Sequence, residues 1–270
     1  MLAQSEVQPF VLGISTSAGI AQVCALALPP TPVVHWSQWP DIPIHFEFEI
    51  TDYKQQSLQL LPLLLEHMAQ ADVTGEGCKG IACNIGPGGF TSLRTACGVA
   101  QGLATAWACG VLPVSSFECM AAEFALQGGD LAQPLACYMD ARLQEFYAAV
   151  LAWAPVQSNS SGFEMLRNPC QIKANGAEVQ LFSESQPSLP VPPLKLIDQA
   201  ACTILQGQGE GHADVDWQVV SPSARGLAVL GVLAAQAGKL QEPFVLQPLY
   251  VREKVAQTTS ERLAARDVGI

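Results

Sequence analysis

The sequence predicts an α/β protein on three grounds. Short apolar strands alternate with segments of helical periodicity along most of the chain. The segment from Gly80 to Cys109 reads as strand, glycine-rich turn and helix. The helix after Lys54 is apolar on two faces, as a helix between a sheet and a second covering layer would be.

Phe10 to Ile14 reads as a first strand and Gln22 to Leu28 as a second, with Ser15 to Gly19 turning between them as a hairpin. Pro29 to Pro43 holds five prolines and two tryptophans, which excludes a central strand and predicts an extended loop. Ile44, Phe46, Phe48 and Ile50 alternate with polar residues as a third strand. Lys54 to Ala71 is helical, with Leu58, Leu61, Leu65 and Met68 on one face and Leu60, Leu63, Leu64 and His67 on another. Pro62 predicts a kink or a late start. Gly80 to Ile85 is a fourth strand, ending in Gly86-Pro87-Gly88-Gly89. Thr91 is the expected N-cap of a helix running to Cys109, with Gly110 at its C-terminal stop. Its apolar face is Leu93, Cys97, Ala100, Leu103, Ala104 and Trp107; Gly98, Gly102 and Ala106 make a second face of small residues. Helical glycines are costly, and a close helix–helix approach offsets that cost. Val111 to Val114 is a strand, and Ser116 is expected to cap a helix to Leu126. Leu135 to Met139 and Glu145 to Leu151 form a strand pair around Asp140-Ala141-Arg142, where Asp140 and Arg142 are expected to fix a turn. Ala154 to Gly162 and Ser183 to Pro193 read as loops. Ser221 caps a helix to Ala237, closed by Gly238, and Leu249-Tyr250-Val251 is strand-like.

The 270 residues suffice for one large domain or two smaller ones, and 49% are hydrophobic, enough for a sizeable core. Only 14% are charged, which suggests that a partner covers some apolar surface. The net charge of −11, with thirteen Lys and Arg scattered singly, argues against a nucleic-acid grip by this chain alone. The mildest basic cluster, Arg252, Lys254, Arg262 and Arg266, is offset by neighbouring acids. No Lys or Arg precedes Lys54, so neither a secretory signal nor a transit peptide is expected. The uncharged stretch Thr95 to Phe117 is too polar for a membrane span. Nine cysteines without a C-x-x-C pair read as reduced core thiols of a cytoplasmic protein.

Several chemistries find no support. Gly86 to Leu93 could bind an anion at a helix N-terminus, but it is neither a Walker A loop nor G-x-G-x-x-G, and a tight structural turn is the simpler reading. Gly207-Gln208-Gly209-Glu210-Gly211 lacks a strand–turn–helix context. His35, His45, His67 and His212 form no metal-binding spacing, and no metal is expected. There is no G-x-S-x-G elbow.

The run Gly86-Pro87-Gly88-Gly89-Phe90-Thr91-Ser92-Leu93-Arg94 resembles the GPGSFTGLR signature of the bacterial TsaB (YeaZ) family. The likeness continues through Leu60-Leu61-Pro62, Gly98 to Gly102, Val111 to Val114, Ser115 to Glu118, Met139 to Arg142 with Glu145 and Tyr147, Gly207 to Gly209, and Pro248 to Arg252. The resemblance implies an actin-like (ASKHA) fold of two ribonuclease-H-like domains. Residues 1–128 would form the first, completed in part by 222–270. Residues 129–221 would form the second, and 252–270 a polar tail open to partial disorder. It implies a non-catalytic scaffold that dimerises with a TsaD-like transferase to make N6-threonylcarbamoyladenosine beside the anticodon. A TsaE-like ATPase would join them, and tRNA would be reached only through the complex. No cofactor and no catalytic residue are expected. The free chain could be monomer or homodimer.

The expected partner interface comprises Leu58, Leu61, Leu64, Leu65 and Met68 of the first helix, and Arg94, Gly98, Gln101, Gly102, Thr105 and Ala106 of the second. The expected signature loop is Gly86, Pro87, Gly88, Gly89, Phe90 and Thr91. The chain departs from the family pattern at Ser15, usually Asp; at Gln56, commonly His; at Gly89 and Ser92, usually Ser and Gly; and in the insertion Pro29 to Pro43. The alternative is an ATP-binding enzyme of the same fold, an ATPase or small-molecule kinase, against which the lost acid at Ser15 argues. A peptidase, an old label of the family, lacks a nucleophile–base pair.

Overall fold

A computed structural model describes residues 8–33, 35–142, 145–154, 162–173, 194–207 and 217–251. The Gln208 to Gly211 part of the glycine-rich loop, the loop residues 155–161 and 183–193, His212, the basic cluster beyond Val251 and the tail 252–270 lie outside the described residues.

Two five-stranded sheets carry the fold. The first has strands β1 (Phe10–Ser15), β2 (Ala21–Ala27), β3 (Ile44–Ile50), β4 (Cys78–Gly86) and β5 (Gly110–Ser115) in the order β3-β2-β1-β4-β5. β1, β2 and β3 pair antiparallel, while β4 and β5 join β1 in parallel. Helices α1 (Gln56–Gln70) and α2 (Phe90–Ala106) supply the crossovers that parallel strands require. The second sheet has β6 (Leu135–Asp140), β7 (Glu145–Trp153), β8 (Phe163–Lys173), β9 (Leu194–Ile197) and β10 (Trp217–Val219) in the order β10-β9-β6-β7-β8. Helix α3 (Ser116–Leu126) links the sheets, α4 (Gln199–Gly207) belongs to the second, and α5 (Ala224–Gln236) returns to the first.

Strand alternation sorts the core into layers. Phe10, Leu12 and Ile14 of β1 face α1 and α2, burying Leu60, Leu64, Met68, Ala96, Ala100 and Leu103. Val11 faces the other way, into a core shared by α3, α5 and the inner face of the second sheet. The outer face of that sheet, Tyr138, Phe146 and Ile197, packs with Ala201 of α4. Each fully buried Leu or Phe contributes about 1.5–3 kcal/mol. Gly13 is required where α5 crosses β1, because a Cβ there would run into the Ala224 carbonyl and the Ala228 amide.

The helix ends depart from expectation. α2 begins at Phe90 with Gly89 as its cap, so Thr91 lies inside the helix. It stops at Ala106, and Ala108, at φ +50°, makes the left-handed reversal expected of Gly110, which instead starts β5. The cap of α3 is Ser115, not Ser116: Ser115 and Glu118 form a reciprocal capping box. The cap of α5 is Ser223, not Ser221, its hydroxyl accepting the Gly226 amide at 2.9 Å. Leu249 to Val251 is no strand, although the Leu249 amide donates to the Ile85 carbonyl at 2.7 Å. Pro62 lies inside an uninterrupted α1. Among the described residues all cysteines are free thiols, and no helix is long and apolar enough to cross a membrane.

Candidate functional site

The turn after β4 is built around one buried side chain. Asn84 accepts from the Gly86 amide at 2.8 Å and from the Ser116 hydroxyl at 2.9 Å through Oδ1. Its Nδ2 donates to Ser17 Oγ at 2.9 Å and Ser15 Oγ at 3.3 Å. The same Ser116 hydroxyl lies 2.8 Å from the Pro87 carbonyl, so its one hydrogen is shared between the two acceptors. Gly86 sits at φ +108°, where a side chain would be strained. The chain then enters α2, so of the expected signature loop Gly86, Pro87, Gly88 and Gly89 form the turn, while Phe90 and Thr91 are helical.

A second contact ties this turn to α1. Gln56 Nε2 donates to the Gly19 carbonyl at 2.7 Å, and Ser92 Oγ donates to Gln56 Oε1 at 3.1 Å. Gln56 and Ser92, the positions where the resemblance led us to expect His and Gly, are thus hydrogen-bonded to each other. Ser15, in the position of the usual Asp, is buried in the neutral Ser15–Ser17–Asn84 cluster.

Between the sheets a cleft of about 320 Å³ opens, lined by Thr16, Gly88, Gly89, Ser92, Asp140 and Asp198 among others. Asp140 Oδ1 accepts the Arg142 amide at 2.7 Å, and Arg142 Nε lies 3.7 Å from Asp140 Oδ2, with Arg142 at φ +67°. Asp198, absent from the sequence reading, caps α4 by accepting the Ala201 amide at 2.7 Å. Burial pushes its carboxyl up to about 6, against the opposing pull of the Ala201 and Asp140 amides. Among the described residues no three His, Cys, Asp or Glu are grouped to hold a metal.

The outward faces of α1 and α2 point the same way, because both helices cover one face of the first sheet. On α1, Leu58 is 68% exposed, Leu65 49% and Leu61 40%. Leu64 and Met68, expected on the partner face, are instead buried against the sheet: they continue the i, i+4 row begun by Leu60. On α2, Arg94, Gly98, Gly102, Thr105 and Ala106 are exposed. Beyond the backbone of α2 itself, no atom would come within 4 Å of a Cβ at Gly98 or Gly102. Gln101 is half-buried and holds the chain's later segment, donating to the Leu246 carbonyl at 2.9 Å. Arg94 stacks on Phe90 at 3.7 Å and donates through Nε to the Tyr250 hydroxyl at 2.8 Å, making an aromatic edge to this face. Sequence reasoning missed Tyr250 as its partner. It missed Asn84 too, although a lone amide in the apolar strand Ile81 to Ile85 was a visible signal.

Two mixed five-stranded sheets with helices, set about a cleft, make an actin-like (ASKHA) fold. YeaZ from Pseudomonas aeruginosa superposes with a TM-score of 0.64 at 20% identity, covering 90% of this chain and 99% of that one. A second P. aeruginosa structure, described as an uncharacterized protein with similarity to peptidase YEAZ, gives 0.64 at 21% identity over 91% and 100%. In sequence, residues 52–155 match the TsaD family, tRNA N6-adenosine threonylcarbamoyltransferase. The tRNA threonylcarbamoyladenosine biosynthesis protein TsaB of Haemophilus influenzae is 32% identical over 106 residues, 39% of this chain and 44% of that protein. Its Escherichia coli counterpart is 26% identical over 152 residues, 56% and 57% of the two chains. The chain thus spans about half the length of the curated relatives it matches. With the actin-like fold, these matches support a likeness to the TsaB/YeaZ family.

Proposed function

We propose that this chain is a scaffold subunit, not catalytic alone, that dimerises with a TsaD-like transferase in threonylcarbamoylation of the tRNA adenosine beside the anticodon. The observation that carries the reading is the two-helix face: an apolar ridge, Leu58, Leu61 and Leu65, beside a small-residue surface, Gly98, Gly102 and Ala106. Helices approach to about 8 Å only where side chains are small, and the ridge supplies apolar area that water otherwise covers. A TsaE-like ATPase would join the pair, and with net charge −11 this subunit would reach tRNA through the complex. The reading places the protein in the cytoplasm.

The cleft fits this role better than the alternative, an ATP-binding enzyme of the same fold. Beside it, where an acid would be needed to hold a metal–nucleotide, Ser15 is a buried neutral hydroxyl bonded to Ser17 and Asn84. The test is Gly102→Arg, assayed by size exclusion with the TsaD-like transferase and by circular dichroism. A folded variant that no longer associates is expected. A folded variant that binds normally overturns the interface, and micromolar Mg-ATP binding with turnover by the lone chain overturns the scaffold.

A further inference from the structure

We infer that residues 29–33 and 35–43 act as a strap that pins the two sheets together at the end opposite the cleft and thereby holds the cleft at a fixed width. The cleft lies at the Ser15 end of β1, beside Gly19 and Gly88, and at the Asp140 end of β6. The strap leaves β2 after Ala27, which pairs with Phe10 at the other end of β1. β1 is six residues long, so at about 3.3 Å per residue the strap and the cleft floor are roughly 20 Å apart.

The strap is fastened on both sides. On the first-sheet side, Gln236 at the end of α5 binds it three times: Oε1 accepts the Val33 amide at 3.2 Å, and Nε2 donates to the Pro29 carbonyl at 3.2 Å and the Thr31 carbonyl at 3.0 Å. On the second-sheet side, the 3-10 turn Trp36–Asp41 delivers two indoles. Trp36 meets Trp153 of β7 at 5.1 Å, edge to face, and Phe163 of β8 at 6.4 Å; Trp39 is buried 6.3 Å from Trp36. Trp153 and Phe163 meet each other at 5.0 Å, completing an aromatic cluster that joins the core between the sheets. Both β7 and β8 reach this cluster with the ends that point away from the cleft. Prolines at 29, 30, 32, 40 and 43 limit the conformations the strap can take, so little slack remains in the tie. Two sheets free to rock about α3 would change the distance from Gly88 to Asp140; a tie across the back removes that freedom.

The experiment is hydrogen exchange followed by mass spectrometry on the full chain and on Trp36→Ala and Gln236→Ala. The expected result is an increase of about tenfold in exchange for the cleft segments Ser15–Gly19, Gly86–Gly89 and Asp140–Arg142, remote from either substitution. Exchange within the rest of β1, up to Ile14, and of β4, up to Ile85, should be unchanged. Met68→Ala, which opens a cavity under α1 away from both strap and cleft, is the control for general loss of stability. Gln236→Ala removes only hydrogen bonds at a half-buried site, so it reads out the strap even if Trp36→Ala fails to fold. Cleft exchange unchanged in Gln236→Ala, or raised equally in Met68→Ala, overturns the proposal.

Discussion

Replacing the exposed glycines of α2 should stabilise the free chain and weaken the proposed complex with a TsaD-like transferase. A glycine inside a helix costs about 1 kcal/mol relative to alanine, through backbone entropy. At Gly98 and Gly102 the added methyl would meet no atom within 4 Å beyond the backbone of α2 itself, so nothing else in the chain opposes that gain. Gly98→Ala and Gly102→Ala should each add about 0.5–1 kcal/mol, and together raise Tm by about 2–8 °C. Gly13→Ala provides the opposite case. Its methyl would strike backbone atoms of α5, and a loss of about 1–3 kcal/mol or more is expected. Thermal and urea unfolding followed by circular dichroism measure both. Calorimetric titration of the double variant with the TsaD-like transferase measures association, where two methyls on a close-packed surface should raise Kd about tenfold or more. A double variant less stable than the parent would refute the open-face geometry. One more stable that binds as tightly would show that the glycines serve no partner.

Asp198 should leave a signature in the pH dependence of stability. Its folded value, about 6, lies above the ordinary 3.8, so the native state holds the proton more tightly. The stability it contributes is full below about pH 4 and is lost as pH rises through 6, at most about 3 kcal/mol. Asp198→Asn keeps the cap on α4, and the difference between variant and parent measured from pH 4 to 7 should grow in the variant's favour; a flat difference refutes the burial argument. Asn84→Leu strands the buried Gly86 amide and should cost about 1–3 kcal/mol in urea unfolding, with retained stability showing that the turn does not depend on this network. Alkylation at neutral pH, read by peptide mass spectrometry, should label Cys109 before Cys24, Cys119 and Cys137. Cys109 is half-buried with its sulfur 3.9 Å from that of Cys78, a shared hydrogen and Lys79 holding its thiol down, whereas burial pushes Cys24 up to about 12 and the other two up as well. Equal labelling of all four would contradict this order.

The strand–turn–helix grammar of the first half was legible in the order of residues alone: β1 to β5, α1 to α3 and the hairpin of β6 and β7 occupy the segments whose periodicity announced them. So were the glycine turn after β4 and the small-residue face of α2. These are local properties, set by side-chain alternation, by propensity and by the backbone freedom of glycine. Helix caps were legible only to within one or two residues, because Ser115, Ser116, Ser221 and Ser223 are equivalent until a neighbour's geometry selects one. In the second half, β8, β9, β10 and α4 were not read; β9 and β10 are four and three residues long, and such short segments become strands only when a sheet already offers an edge. Which side of α1 turns inward emerged only from the packed fold. Leu58 and Leu64 have the same side chain, yet one is exposed and the other buried, and the difference is the position of the sheet. The same holds for Gly13 beneath α5 and Gly102 in the open, for Gln56 finding Ser92, and for the proline-rich loop becoming a strap. Each depends on contacts between residues distant in the chain, and those distances are settled by how the whole fold buries its apolar surface.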